Sequence, residues 1–274
     1  MSDTKSITDP AVVADQVGKK YPLSGSHKRT SRGSRSYFAA DYVDALRDVS
    51  FVARKGESIG IIGRNGSGKS TLLRLIAGGE AATSGAVYVS NQPTLLGVSP
   101  ALQGWLTGEQ NIYLGLLALG MKPNEAKQTI PEIVEWTELG EASKRPMSTY
   151  SSGMGAKLSF AISTAIRPEI LLVDESLSTG DAAFAAKARE RMSKLLSNAG
   201  NIFLVSHSLP TISDNCERAL WIHDGDLVAD GGSGEITELY TDFSKMLQAG
   251  QQEKARQFLT KVTQESTKVR VNYR

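Results

Sequence analysis

Apolar and polar positions change their period several times along the chain. Residues 46–56, LRDVSFVARKG, alternate apolar with polar as a half-exposed strand does, and residues 57–63, ESIGIIG, give a continuous apolar run ending in glycine, as a buried strand does. TLLRLIAGG then places leucines at helical spacing before a Gly-Gly stop. A short strand is expected at GAVYVS, residues 85–90, and helices at NIYLGLLALGM and EAKQTIPEIVEWTEL, with Pro131 starting or kinking the second. From residue 156 the order becomes regular: a helix over about 156–166, a buried strand EILLVDE, a helix over about 182–198 and a buried strand NIFLVSH. ALWIHDGDLVADG reads as a hairpin turning at Asp224-Gly225. Strands alternating with helices predict an α/β fold, a largely parallel sheet covered by helices on both faces. Beyond about residue 245 the chain becomes a polar, weakly amphipathic tail, read as a docking helix or a disordered segment.

Composition narrows the classes. The 274 residues fit one large α/β domain plus a tail. Lys and Arg number 31 against 29 Asp and Glu, a formal charge of +2, too balanced for the broad basic footprint of a nucleic-acid binder. The single cysteine, Cys216, excludes an internal disulfide framework, suits a reducing compartment and is read as a packing residue. The longest apolar stretches, such as LGLLALG, are too short to span a bilayer, and the polar start MSDTKSITDP lacks the basic and apolar regions of a secretory signal. The expectation is a chain that stays inside the cell without crossing the membrane.

Between the apolar strand and the leucine helix lies GRNGSGKS, which fits GxxxxGK(S/T) in the strand–loop–helix context that motif requires. Successive backbone N–H groups aimed inward stabilise a polyphosphate, and glycines let the backbone approach it closely. The expected nucleotide contacts are therefore Gly63, Arg64, Asn65, Gly66, Ser67, Gly68, Lys69, Ser70 and Thr71. Lys69 would reach the β- and γ-phosphates, Ser70 would offer its hydroxyl to Mg2+, and Thr71 would close the loop.

Three further stretches carry candidate chemistry. EILLVDE ends a buried strand in two carboxylates: Asp174 is suited to hold Mg2+ directly or through water, and Glu175 to orient or deprotonate an attacking water. His207 follows the next strand, where open parallel sheets bind ligands, and an imidazole there can contact the γ-phosphate and the water. In TYSSGMGAKLSF, residues 149–160, Ser151 or Ser152 can cap the helix that follows. The same Ser- and Gly-rich helix start can instead hold an anion.

GRNGSGKS, EILLVDE and NIFLVSH, with YSSGM ahead of the second, resemble the nucleotide-binding subunit of an ABC transporter over about residues 11–235. The resemblance implies a P-loop NTPase of the ABC-ATPase fold over 11–240: a mostly parallel sheet core, an antiparallel β subdomain, and a helical subdomain over about 100–165. Residues 241–274 are expected to be a short tail with no carbohydrate-binding domain. It also implies a head-to-tail dimer with each ATP between one subunit's phosphate loop and the other's signature loop. YSSGM stands where the family most often has LSGGQ, so Ser151 and Gly153 match the serine and glycine that contact the opposite subunit's γ-phosphate, with Ser152 replacing a glycine and Met154 the glutamine. Glu175 becomes the catalytic base, His207 the switch histidine, and STGD at 178–181 the dimer-contact loop. Tyr21 sits where the family places the ring that stacks on adenine, with Tyr37, Phe38 and Tyr42 as rivals. The glutamine that normally links Mg2+ to the membrane partner has no clear match; Gly97 falls near its place, with Gln92 and Gln103 as substitutes.

YSSGM, DE with STGDAAF, LTGEQNIYL and an insertion between GKKY and ALRDVSF are similar to the branch that exports polysaccharides, teichoic acids and lipid-linked O-antigens. The insertion's Lys28, Arg29, Arg32 and Arg35 can meet anionic lipid or a glycolipid phosphate, or simply form a solvated loop. The expected protein is a peripheral ATPase at the cytoplasmic face of the plasma membrane. It would use ATP and Mg2+ to drive a separate polytopic permease that moves a lipid-linked glycan, with no nucleic-acid partner. Two other classes compete. A non-transport ABC ATPase of DNA repair or the ribosome usually has two fused cassettes or a long coiled coil, neither of which is present here. A small-molecule kinase has no use for YSSGM or Glu175.

Overall fold

The computed structural model describes residues 7–23, 42–96, 102–174, 182–266, 269 and 271. The elements in order are strands β1 (Pro10–Pro22), β2 (Tyr42–Arg54) and β3 (Ser58–Ile62), helix α1 (Lys69–Ile76), strands β4 (Ser84–Val89) and β5 (Thr94–Leu96), and helices α2 (Gly108–Ala118) and α3 (Pro123–Thr137). Helix α4 (Ser152–Ser163), strand β6 (Ile170–Asp174), helix α5 (Ala182–Asn198) and strand β7 (Asn201–Val205) follow. Helix α6 (Leu209–Asn215), strands β8 (Arg218–His223) and β9 (Asp226–Gly232), and helices α7 (Ser233–Gln248) and α8 (Gln252–Glu265) complete the chain. The chain divides into two compact units, residues 1–90 with 205–274 and residues 91–204.

In the first unit β2, β1 and β4 form an antiparallel sheet in that order. The alternation read at 46–56 is observed: Leu46, Val49, Phe51 and Ala53 are buried on one face of β2. Strand β1 is bulged between Ala14 and Val17, where Gln16 takes a left-handed φ of 50° and its N–H donates to Ser50 Oγ at 2.9 Å. Strand β3 is buried from Ile59 to Ile62 and pairs in parallel with β8, which pairs antiparallel with β9. Between β8 and β9, Asp224 and Gly225 take φ of 47° and 87°, the two left-handed positions that a tight two-residue hairpin turn needs.

Helix α7 covers β8 through Trp221, whose ring lies 5.2 Å from Phe243 and 5.5 Å from Tyr240. The tail is helical over Gln252–Glu265, where α8 buries Ala255 and Val262. Cys216 is buried, and burial pushes its thiol up to about 12, so it stays protonated and packs as an apolar residue.

In the second unit α2, α3 and α4 share a core of Ile112, Leu116, Ala126, Ile133, Leu158 and Ile162. Gly115 lets α2 and α4 close up, since a Cβ there would lie 2.6 Å from Ile162 Cγ2. Strand β5 pairs in parallel with β6, and β7 lies on the other side of β6. Two helices begin earlier than their apolar runs. Thr107 and Gln110 form a capping box that starts α2 at Gly108, and Ser151 starts α4 at Ser152. Pro131 does not start α3: that helix opens on Pro123 and runs through Pro131 to Thr137.

Candidate functional site

The phosphate-loop segment lies wholly in the first unit. Strand β3 delivers the chain to Gly63, the loop runs to Gly68, and α1 begins at Lys69. Three glycines carry conformations that other residues resist, Gly63, Gly66 and Gly68, at φ 149°, 78° and 110°. Two of them also admit no side chain: a Cβ on Gly63 would sit 2.1 Å from the Ile222 carbonyl oxygen, and one on Gly68 2.4 Å from that of Ala45. At Gly66 a Cβ would meet nothing within 4 Å, so this part of the loop is open to an approaching group.

The loop's polar groups fit a polyphosphate. Lys69 is 6 % exposed, and its Nζ donates to the carbonyls of Gly63 at 2.8 Å and Arg64 at 2.9 Å, which holds the cation inside the loop. Ser67 donates its N–H to the Arg64 carbonyl at 3.1 Å, closing the turn. Its buried Oγ has no hydrogen-bond partner among the described residues, an orphan donor of the kind that a bound oxygen satisfies. The first N–H groups of α1 lack partners within the helix and point out of its positive end. Ser70 is half-buried at that end, Thr71 is buried one residue on, and Arg64 and Asn65 are exposed.

Thr71 connects to the edge of the unit: its Oγ1 accepts from Arg74 Nη2 at 3.3 Å, and Arg74 Nε donates to Glu80 Oε1 at 2.7 Å. Glu80 also accepts from the Tyr21 hydroxyl at 2.5 Å, while Lys19 Nζ stands 5.1 Å from the centre of the Tyr21 ring. Tyr21 hydrogen bonding first, with the Lys19 and Arg74 charges added, holds the Glu80 carboxyl below the usual carboxylate range. One face of the Tyr21 ring therefore carries a cation, and its hydroxyl is fixed. Tyr42, the rival within the described residues, is exposed and pairs with Pro22. His207, also in this unit, is exposed just beyond β7 and one residue before Ser208, which caps α6.

The second unit carries the other sequence candidates. Ser151, not Ser152, is the cap of α4: its Oγ accepts from the Met154 N–H at 3.2 Å. Ser151 and Ser152 are exposed, and among the described residues a Cβ at Gly153 would meet only Ser151 Oγ, at 3.9 Å. Asp174 is half-buried at the last position of β6. Glu175, the STGD loop at 178–181, Gly97, Tyr37, Phe38 and the insertion's Lys28, Arg29, Arg32 and Arg35 lie outside the described residues.

Two residues that pin loop backbone in the second unit went unread in the sequence. Tyr150 donates its hydroxyl to the Ala142 carbonyl at 2.8 Å, and it fits only because residue 108 is glycine, where a Cβ would lie 2.2 Å from that hydroxyl. Asn111, 2 % exposed, accepts from the Gln103 N–H at 2.7 Å and donates to the Gln103 and Thr107 carbonyls at 3.0 Å each. The polar Asn inside the apolar run NIYLGLLALGM was the available signal for the second.

The family described as ABC transporter matches residues 46–178. A teichoic acids export ATP-binding protein (TagH) of Bacillus anthracis is 42 % identical over 234 residues, covering 84 % of this chain and 42 % of that protein. The protein of the same name from Staphylococcus epidermidis is 37 % identical over 218 residues, covering 80 % of this chain and 83 % of that one. The chain thus spans less than half of the Bacillus relative and most of the Staphylococcus one. Among solved structures, a dimeric ATP-binding cassette bound to ADP and Pi superposes with a TM-score of 0.62 at 21 % identity, over 81 % of this chain and 98 % of that one. The ATP-binding subunit of an ABC transporter gives a TM-score of 0.63 at 22 % identity, over 84 % and 93 %. The two structures share the fold, an ABC ATPase cassette, and the sequence relatives give the lineage: this chain belongs to the ABC transporter ATP-binding family.

Proposed function

We propose that the chain is the ATP-binding and ATP-hydrolysing subunit of an exporter, one that drives a separate membrane permease to move a lipid-linked cell-envelope polymer outward across the cytoplasmic membrane. The observation that carries the reading is the phosphate loop: three left-handed glycines, a buried lysine turned into the loop and an orphan serine hydroxyl, at the start of a helix. The teichoic acids export names of relatives at about 40 % identity favour a teichoic-acid or related polymer as cargo.

The residues divide the work by chemistry. Lys69 and the amides of Gly63 to Thr71, with Arg64, Asn65, Gly66, Ser67 and Gly68 between, bind the phosphates and neutralise charge that builds on the γ-phosphoryl oxygens. Ser70 and Asp174 are the oxygen donors suited to Mg2+, which when bound supplies further charge neutralisation. Glu175 accepts the proton of the attacking water, and His207 senses the γ-phosphate. Tyr21 offers its ring to adenine. Ser151, Ser152 and Gly153 bring an open helix start to the nucleotide held by a second copy, so ATP binding closes a dimer and hydrolysis releases it.

Among the described residues no helix is long and apolar enough to cross a membrane, and this reading gives the membrane passage to a separate polytopic partner. Trp105, 74 % exposed, and Leu114, 47 % exposed, are apolar side chains of the second unit available to that partner. The chain would then work as a peripheral subunit at the cytoplasmic face. A Glu175→Gln variant tests the reading: ATP with Mg2+ should convert the monomer into a stable dimer in sedimentation velocity. A variant that stays monomeric with ATP bound would contradict it.

A further inference from the structure

The phosphate loop leans on the β8–β9 hairpin at both of its ends. Gly63 packs against the Ile222 carbonyl, as its missing Cβ requires, and the carbonyl of Ser67 accepts from the N–H of Gly225 at 2.9 Å. Gly225 is itself fixed from the other side. Its carbonyl accepts from the Arg47 N–H at 2.8 Å, and its φ of 87° places a would-be Cβ 3.1 Å from the Ala45 carbonyl. The Arg47 side chain completes the arrangement. Its Nε and Nη2 donate to the two carboxylate oxygens of Asp226, at 3.1 Å and 2.6 Å, a two-pronged grip on the residue next to Gly225.

The peptide group gives this arrangement a direction. A trans peptide is planar, with its C=O and the following N–H pointing opposite ways. Pinning the Ser67 carbonyl to the hairpin therefore turns the Gly68 N–H away from the hairpin. That N–H is one of the donors at the start of α1 that has no partner within the helix. We propose that Arg47 and Asp226 are positioning residues for nucleotide binding, a latch that holds the hairpin turn so that Gly225 sets the orientation of the Ser67–Gly68 peptide in the phosphate loop. The latch rests on the reading of this loop as the ATP site. Its residues touch no phosphate; they act through Gly225.

Arg47 and Asp226 are about half exposed, with side-chain accessibilities of 45 % and 50 %, so truncating them leaves the core intact. The test compares wild type, Arg47→Ala, Asp226→Ala, the double alanine variant, and the exchange Arg47→Asp with Asp226→Arg. For each, the ATP Kd is measured by titration calorimetry and the Tm by differential scanning. An ion pair this exposed supports a loss in ATP affinity of about twofold to fivefold in each single variant. The double variant should be no weaker than either single one, since both remove the same contact, and the exchange should restore affinity. Unchanged Kd in both single variants, or losses that simply add in the double, would overturn the latch. Wild-type protein that fails to bind ATP would instead remove the phosphate-loop reading on which the latch rests, so the two failures are told apart by the wild-type titration.

Discussion

The hydroxyl of Ser151 accepts from the backbone N–H of Met154 at 3.2 Å, so the first residue of SSGM is already engaged as a helix cap. The bond uses one lone pair of the oxygen and leaves the hydroxyl hydrogen and the outer face of an exposed helix start for a ligand. Cap and ligand contact are therefore compatible roles for one residue.

They come apart on substitution. Ser151→Ala and Ser151→Arg both lose the cap and should lower stability by about 1 kcal/mol. Only the second places a bulky cation where another subunit's phosphate has to approach. Ser151→Arg should leave ATP binding to the monomer within about twofold of wild type, while ATP hydrolysis and ATP-dependent dimerisation are lost. Equilibrium dialysis on the monomer with a steady-state ATPase assay separates the two effects. Loss of monomer binding would reduce SSGM to a local cap.

The glycines of the phosphate loop should rank by what surrounds them. Gly63→Ala drives a methyl into the Ile222 carbonyl, 2.1 Å away, whereas Gly66→Ala enters open space and carries only the strain of its left-handed φ of 78°. Denaturant unfolding should show a loss of about 2–4 kcal/mol for Gly63→Ala and about 1 kcal/mol for Gly66→Ala. Equal losses would mean that the hairpin does not press on the loop. ATP titration of the Gly66→Ala protein then measures how closely the phosphate approaches at the open side.

Tyr21 and Glu80 give a pH dependence with a definite sign. The Glu80 carboxyl is held below its ordinary value of 4.5, with the Tyr21 hydroxyl as the leading cause. A depressed carboxylate contributes stability that is present above its unfolded pKa and disappears as pH falls through the folded one. Tyr21→Phe removes the hydroxyl and keeps the ring. Unfolding at pH 7.5 should find the variant about 1 kcal/mol less stable than wild type, and the gap should shrink as the pH is lowered through the carboxylate range. A gap that is constant with pH would show that the ionised carboxylate is not what the tyrosine holds. If the ring stacks on adenine, ATP affinity should survive this change and fall in Tyr21→Ala.

How much of this was legible in the sequence depended on range. The strand, glycine loop and helix around GRNGSGKS were readable because three glycines, a lysine and an apolar run act on one another within a few residues. Asp224-Gly225 announced its turn for the same reason, while the serine pair offered two caps, Ser151 and Ser152, of which α4 uses Ser151. Strand β1 did not declare itself, because its bulge at Gln16 breaks the alternation that marks a strand. The tail beyond about residue 245 left a helix and a disordered segment both open, and over Gln252–Glu265 it is helical, with Ala255 and Val262 buried; α7 begins ahead of that tail and went unread, because Phe243 makes sense only against the Trp221 ring it packs on. The Arg47–Asp226 grip joins residues 179 positions apart, and both read as ordinary surface charges until the hairpin brings them together. Tyr150 anchors YSSGM to the Ala142 carbonyl and Asn111 pins the loop at Gln103 ahead of α2, both through backbone carbonyls, which a sequence does not display.

The central claim is that ATP use by this chain drives outward movement of a lipid-linked envelope polymer. Depleting the chain in its own cells and quantifying lipid-linked glycans in the cytoplasmic leaflet tests it most directly. The lipid-linked glycan should accumulate inside the cell, wild-type chain should restore export, and a Lys69→Ala variant should not. Lipid-linked glycan levels that stay unchanged on depletion, with the chain found stably on DNA or ribosomes and not with a polytopic membrane protein, would contradict it.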